Sequence, residues 1–396
     1  MTVPAPRARR RPSAPARLLP PLLVVALLAP VALLFGLTWR HTDDDRALAA
    51  RERLGVTYLS ALAPVTDALV DAQSAAVAGR PVPGEPLTRA VEAAATVDAR
   101  IGRELRSQER WAGLRAKLEA LRDRPPAEPE AAFAAYGEVT DLLLDLYRKV
   151  RESSGLVRDP GPDSFFLQDG AGQELPEAVV ATGRLADLTT LAARRPAADR
   201  LRTATDLAAL RVAALTPAGD LVTDLRAAVD STESTDLGTN VLTPLDTYQR
   251  AVEALAAASN PAARTGVVDP AQVAAARLNA QAAATQLQPV ILAELDALLA
   301  ERVDALDQDR RLALGAVGLA VLLLAALGGV LLAAARRARR RAAEARRARA
   351  EPGAAPESDA WRPPAGSRPD EPRPLQPVGP AGDPVAAQWG SVDAAR

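Results

Sequence analysis

The chain has no cysteine and a single histidine, His41, among its 396 residues. The absence of cysteine excludes disulfides, thiolate metal sites and cysteine nucleophiles. One histidine excludes a Ser-His-Asp triad and an HExxH zinc site, and His41 is best interpreted as an interfacial residue beside Trp39. No GxxxxGK[ST] loop and no GxGxxG turn is present either. We therefore expect no enzyme activity, no cofactor and no metal site.

Charge is absent from two long apolar runs, Leu18–Trp39 and Leu312–Ala335. Each run is long enough for a membrane helix, which needs about 20 apolar residues. The first exceeds the apolar core of a signal peptide, about 7–15 residues, so we expect a retained anchor. Arginines are concentrated on one side of each run, namely Arg7, Arg9, Arg10, Arg11 and Arg17 before the first and Arg336, Arg337, Arg339, Arg340 and Arg341 after the second.

This arginine asymmetry predicts a two-span membrane protein with both termini in the cytoplasm. Arginine almost replaces lysine and alanine is abundant, which is typical of a GC-rich bacterium, so we expect a bacterial plasma membrane. Residues 40–311 would then lie outside. That region is acidic, which argues against nucleic acid as a partner. We expect the basic N-terminus, residues 1–17, and the proline-rich tail, residues 352–396, to be disordered.

The region between the runs has few aromatic residues and a helical apolar spacing, as in Val139, Leu142, Leu143 and Leu146. The predicted fold is all-α: an elongated extracytoplasmic helical bundle between two transmembrane helices, with an alanine-rich core. One four-helix bundle and two stacked bundles both fit, and the second is preferred. The predicted helices span residues 42–78, 86–123, 130–154, 173–194, 197–230, 241–259 and 270–310, and the segment 155–172 is predicted to be a connection.

The most distinctive segment runs from Ser153 to Pro176 and reads SSGLVRDPGPDSFFLQDGAGQELP. Its prolines favour an extended connection, because the residue before a proline avoids the helical region. Phe165 and Phe166 are half of the phenylalanines in the chain. One interpretation is a hydrophobic plug that fastens the connection to the bundle. The other is a ligand pocket walled by the two rings, with Asp159, Asp163, Ser164 and Asp169 as polar contacts.

This segment resembles the extracytoplasmic sensor region of bacterial methyl-accepting chemotaxis receptors, sensor kinases and diguanylate cyclases. Their pattern, S-x-L-x-L-D-P-D-x-D-S-Y-Y-L-x-D followed by L-P, matches here at Leu156, Asp159, Pro160, Asp163, Ser164, Leu167, Asp169, Leu175 and Pro176. Phe165 and Phe166 replace the paired tyrosines, so a contact made by the tyrosine hydroxyls would be lost. The resemblance implies an all-helical sensor that forms a homodimer.

Those receptors continue into a HAMP linker and a signalling module, whereas 61 residues follow the second apolar run here. We therefore expect the output to belong to a separate kinase or chemoreceptor. Residues 336–351 should form a basic juxtamembrane helix. Its arginines would bind membrane lipids of negative charge, or act simply as a stop-transfer anchor.

Two functions fit this sequence. The first is an accessory sensor that binds a ligand or partner outside and relays a signal through its membrane helices. The second is a structural envelope or scaffold protein, with the bundle as a spacer and the tail as a recruiting segment. A decayed receptor is a third interpretation.

Overall fold

A computed structural model describes the backbone of residues 15–157, 162–232, 235–260 and 268–350. Within these ranges the chain is helical and has no strand, which confirms the all-α prediction. The predicted disorder of residues 1–14 and 352–396 lies outside the described residues, although residues 15–17 already belong to the first helix. The chain divides into two units, residues 1–322 and residues 323–396.

Nine α-helices follow one another in the described residues, with one π-helical turn and one 3₁₀ turn between them. They are α1 (Pro15–Ala78), α2 (Gly84–Ile101), α3 (Gln108–Asp123), α4 (Pro129–Ser154), α5 (Pro162–Asp169), the π-helical turn Gly170–Glu174, α6 (Leu175–Ala192), the 3₁₀ turn Ala197–Asp199, α7 (Arg200–Ser231), α8 (Thr235–Ala258) and α9 (Pro270–Ala350).

The prediction of one continuous helix over 86–123 is wrong, because α2 ends at Ile101 and α3 begins at Gln108. Ser107 stabilises the non-helical segment between α2 and α3, because its hydroxyl donates to Asp98 and its backbone N–H donates to the carbonyl of Gly102. A Cβ on Gly102 would collide with the Asp98 carboxylate, so only glycine fits there. Sequence periodicity alone carries no signal for such a side-chain stop.

The predicted connection at 155–172 is also wrong over its second half. Helix α5 begins at Pro162, where a proline without an N–H and with a fixed φ is well suited to a first helical turn. The π-helical turn then leads into α6 without a break. The predicted helix 197–230 contains Pro217, and this proline lies inside α7, whose Ala218 and Leu221 are fully buried.

Helices α2, α4 and α6 pack against α1, while α7 packs against α6 and α8 against α7. The main hydrophobic core contains residues from all nine helices, from Val56 to Leu299. This shared core favours one bundle over two stacked bundles. Leucine is the commonest buried residue of the described core and alanine the second, with Leu59, Leu62, Leu143 and Leu146 among the fully buried residues.

Helices α1 and α9 run antiparallel and are joined by four arginine–aspartate pairs. The pairs are Asp43–Arg310 at 3.1 Å, Arg46–Asp307 at 2.6 Å, Arg53–Asp296 at 2.8 Å and Asp71–Arg277 at 2.9 Å. At the end of the series nearest the apolar runs, the guanidinium of Arg310 lies 4.1 Å from the ring centroid of Trp39. We call this set of contacts, from Trp39 to Arg277, the α1–α9 ladder.

One helix in the described part of the chain, α9, is long and apolar enough to cross a membrane, and its apolar window is not buried. Helix α1 contains the first apolar run, where the side chains from Leu28 to Leu37 are mostly exposed. The side chains of residues 18–25 lie outside the described part. In the second unit the described residues, 323–350, are helical.

Candidate functional site

The residues predicted to form a ligand site take different positions in the structure. Asp159 and the side chain of Asp163 lie outside the described residues. Ser164 is buried and lies 3.4 Å from Arg302 of α9. Phe166 packs against the main core, whereas Phe165 is 41% exposed. One ring thus matches the plug interpretation and the other points to the surface.

Asp169 is the predicted residue that the fold places among other charged groups. It is partly buried at the end of α5 and accepts a hydrogen bond from Arg151 of α4. Arg151 is buried and donates a second hydrogen bond to Gln173 in the π-helical turn. A Cβ on Gly172 would lie 2.6 Å from Cδ of Arg151, so this glycine allows the arginine to reach the turn.

Three carboxylates converge at this point. Asp169, Glu174 and Asp224 of α7 each offer an oxygen within 4.8 Å of the other two. We call these three residues the carboxylate cluster. In an α-helix, residues five apart differ in direction by about 140°. A π-helical turn joins residues i and i+5, so it brings Asp169 and Glu174 to the same side.

Glu174 is the most deeply buried member, with 6% of its surface exposed. Its Oε2 has no hydrogen-bond partner in the described part of the chain. Burial raises the pKa of Glu174 to about 8, and the charges of Asp224, Asp169 and Asp220 add to the effect. Burial also raises the pKa of Asp224, with Asp169 and Asp220 contributing.

Other buried acids in the bundle have partners. Asp98 accepts hydrogen bonds from the hydroxyls of Tyr58 at 2.8 Å and Ser107 at 2.9 Å. Asp187 of α6 accepts one from the side-chain amide of Gln73 at 2.8 Å. These acids therefore connect helices, which is the usual role of a buried, hydrogen-bonded polar group.

A second feature is a groove over α1 between α2 and α9, with a volume of about 1240 Å³. Small and apolar residues such as Ser60, Ala63 and Leu292 line it, together with Asp67. Burial raises the pKa of Asp67 to about 6, although hydrogen bonds from Thr285 and Gln281 oppose the shift. The groove is larger than most small-molecule pockets, which measure about 300–1,000 Å³.

Sequence reasoning singled out Asp169 but missed Glu174, Asp224 and Arg151. Asp220 and Asp224 are four residues apart, and this spacing indicates two acids on one face of α7. No local pattern indicates that this face meets the π-helical turn. Comparison of the chain with protein families, with curated proteins and with solved structures gives no match.

Proposed function

We propose that this chain is a two-span membrane sensor of a bacterial signalling system. Its bundle would lie outside the plasma membrane, and both termini would lie in the cytoplasm. It would bind a ligand or partner outside and relay the signal through α1 and α9 to a separate output protein, such as a kinase or chemoreceptor. The observation that carries this proposal is the α1–α9 ladder.

The lower end of the ladder coincides with the ends of both apolar runs. Trp39 is the last residue of the first run, and Arg310 precedes the second by two positions. Because these two side chains are in contact at 4.1 Å, the end of the first run and the start of the second lie at the same level of the bundle. Two helices that enter one bilayer surface side by side need this arrangement, and tryptophan is enriched at that surface.

The groove offers a place where a ligand would act on both helices. Its lining includes residues of α1, such as Thr57 and Asp67, and residues of α9, such as Gln288 and Leu292. A molecule bound there would contact both members of the ladder. Its lining favours an apolar body with a cationic or hydrogen-bonding group near Asp67.

The topology is tested by single cysteines, which is straightforward in a chain that has none. In intact spheroplasts, Asp44→Cys should react with a membrane-impermeant maleimide, whereas Ala343→Cys should react only after lysis. Both positions are exposed in the structure. Equal labelling of the two variants before lysis would overturn the two-span proposal.

Sensing is tested by a thermal-shift screen of small molecules on the full chain in detergent, because a ligand of the folded state raises Tm. For any hit, Ala293→Trp should abolish the shift, since Ala293 lines the groove. Ala275→Trp, at an exposed position of α9 away from the groove, is the matched control. Loss of the shift in both variants would argue against the groove.

A scaffold with a helical spacer is the second candidate, and the four ladder pairs favour it because they hold α1 and α9 in one register. The two functions are separated by deleting residues 352–396 and, independently, by filling the groove with Ala293→Trp. A scaffold should lose function only with the tail deletion. A sensor should lose its response with the groove variant.

A further inference from the structure

We propose that Asp169, Glu174 and Asp224 bind a hard divalent cation such as Ca²⁺, Mg²⁺ or Mn²⁺. The carboxylate cluster combines three oxygens from three structural elements of the bundle, the end of α5, the π-helical turn and α7. Carboxylate oxygens are the ligands that hard cations prefer. The proposal is independent of the membrane topology and of any signalling role.

The spacing of the oxygens suits a cation. Three ligand oxygens spread evenly around one ion are at most about 4.0–4.5 Å apart for Ca²⁺ and about 3.5–3.6 Å apart for Mg²⁺, from the usual bond lengths. The cluster oxygens lie within 4.8 Å of one another. Ca²⁺ therefore requires the three side chains to close slightly, and Mg²⁺ or Mn²⁺ requires them to close further.

The buried side chain of Glu174 is the second observation that points to a ligand. Only 6% of the surface of Glu174 is exposed, and its Oε2 has no hydrogen-bond partner in the described residues. Besides burial, the charges that raise its pKa belong to other acids, namely Asp224, Asp169, Asp220 and Glu177. A buried carboxylate oxygen without a hydrogen-bond donor, among other acids, is costly, and a bound cation would coordinate it and supply a counter-charge.

Arg151 does not provide the donor that Glu174 lacks. Its two terminal nitrogens donate to Gln173 and Asp169. A carboxylate has two oxygens, so Asp169 can accept from Arg151 with one and bind a cation with the other. With Asp220 nearby as a fourth acid, one arginine leaves a net negative charge at the cluster.

The elements around the site lie close together. A Cβ on Gly170 would lie 2.8 Å from Cδ1 of Leu221, so the π-helical turn and α7 are in close contact. Tyr248 of α8 is buried, and burial raises the pKa of its hydroxyl, with the Glu174 charge adding to the shift. This close packing favours an ion over a larger ligand.

The test uses the full chain, purified in detergent and dialysed against EDTA. We expect CaCl₂, MgCl₂ or MnCl₂, each added at 1 mM, to raise Tm by about 2–6 °C, with KCl at matched ionic strength as the reference. The cation that gives the largest shift identifies the preferred ion. No shift with any of the three up to 10 mM would overturn the proposal.

Two conservative variants, Glu174→Gln and Asp224→Asn, should each reduce the shift to below 1 °C. Asp230→Asn, at an exposed position of the same helix α7, is the control and should keep the full shift. If both cluster variants respond to the cation like the unmodified chain, the ion binds elsewhere and the proposal is wrong.

A second readout does not depend on stability. Tb³⁺, which replaces Ca²⁺ at oxygen sites, should give luminescence when a nearby tyrosine is excited. The emission should fall at least tenfold in Glu174→Gln and should also weaken in Tyr248→Phe, which keeps the Ca²⁺ shift in Tm. Undiminished emission in Glu174→Gln would contradict the proposal even if that variant were less stable.

Discussion

Asp98 and Glu174 are buried to the same degree, 7% and 6% exposed, but their surroundings are opposite. Asp98 accepts hydrogen bonds from Tyr58 and Ser107, and it joins α1, α2 and the turn that follows α2. Glu174 has an oxygen without a partner and lies among other acids. The neighbours of a buried acid, rather than its burial, therefore distinguish a structural acid from a candidate binding group.

The largest effect should come from Asp98→Ala. It removes the acceptor of the buried Tyr58 hydroxyl and leaves the Ser107 hydroxyl only its longer bond to the Gly102 carbonyl, 3.3 Å. An unsatisfied buried group costs about 1–3 kcal/mol. We expect the free energy of unfolding to fall by about 2–4 kcal/mol, measured by urea denaturation in detergent. Asp98→Asn, which keeps an acceptor oxygen, is the matched control and should lose less. A loss below about 1 kcal/mol in the alanine variant would show that these hydrogen bonds contribute little.

Asp67 lies between the two extremes, since burial raises its pKa to about 6 while Thr285 and Gln281 donate to it. A raised folded pKa means that the neutral form contributes stability below about pH 4 and that this stability is lost as the pH rises through 6. The nearby charges of Asp71 and Arg277 act in opposite directions.

Asp67→Asn should therefore match the unmodified chain at pH 4 and be more stable by about 1–2 kcal/mol at pH 7.5, a value reduced for partial solvent exposure. Thermal unfolding across this pH range is the measurement, and Asp71→Asn is the control variant. A constant difference between Asp67→Asn and the unmodified chain at all pH values would refute the prediction.

Glu174→Gln in the presence of EDTA should have the opposite sign to Asp98→Ala. The measurement is made at about pH 9, above the raised pKa of about 8, where the Glu174 side chain is charged. The amide then keeps the shape of the side chain, removes one of several like charges and adds a donor towards Asp169 or Asp224. We expect a gain of up to about 1 kcal/mol in the free energy of unfolding. A loss above about 2 kcal/mol would place Glu174 with the structural acids.

The smallest effect should come from the ladder pair Arg53–Asp296, whose side chains are 42% and 40% exposed. Solvent screens such pairs, so a double-mutant cycle with alanine at both positions should give a coupling of about 0.3–1 kcal/mol. High salt should reduce it further. A coupling that persists in 1 M NaCl would indicate a buried contribution.

The sequence predicts most helices because their buried faces repeat at helical spacing. In α4, Val139, Leu143 and Leu146 were predicted to share a face, and all three are buried in the main core. The errors arise where one side chain or one packing contact decides the backbone. Ser107 ends a helix that periodicity would continue, and the π-helical turn joins α5 to α6 where the sequence predicts a connection.

The candidate site was predictable in part. The motif around Asp169 drew attention to the right segment, and its glycines permit the close contacts with Arg151 and Leu221. The partner Asp224 is 55 positions further along the chain, and only the packing of α7 against the π-helical turn brings it there. The π-helical turn itself has no period that a sequence pattern reveals.

The α1–α9 ladder has a consequence for motion. The sign of its charges changes twice along α1, since Asp43 is followed by Arg46 and Arg53 and then by Asp71, and α9 carries the complementary order. Sliding one helix past the other by one turn, about 5.4 Å, would bring Arg46 towards Arg310 and away from Asp307. The pairs therefore oppose sliding of one helix along the other. Movements that α1 and α9 make together, such as a common tilt, keep the four pairs. A movement of one helix alone along its axis breaks them.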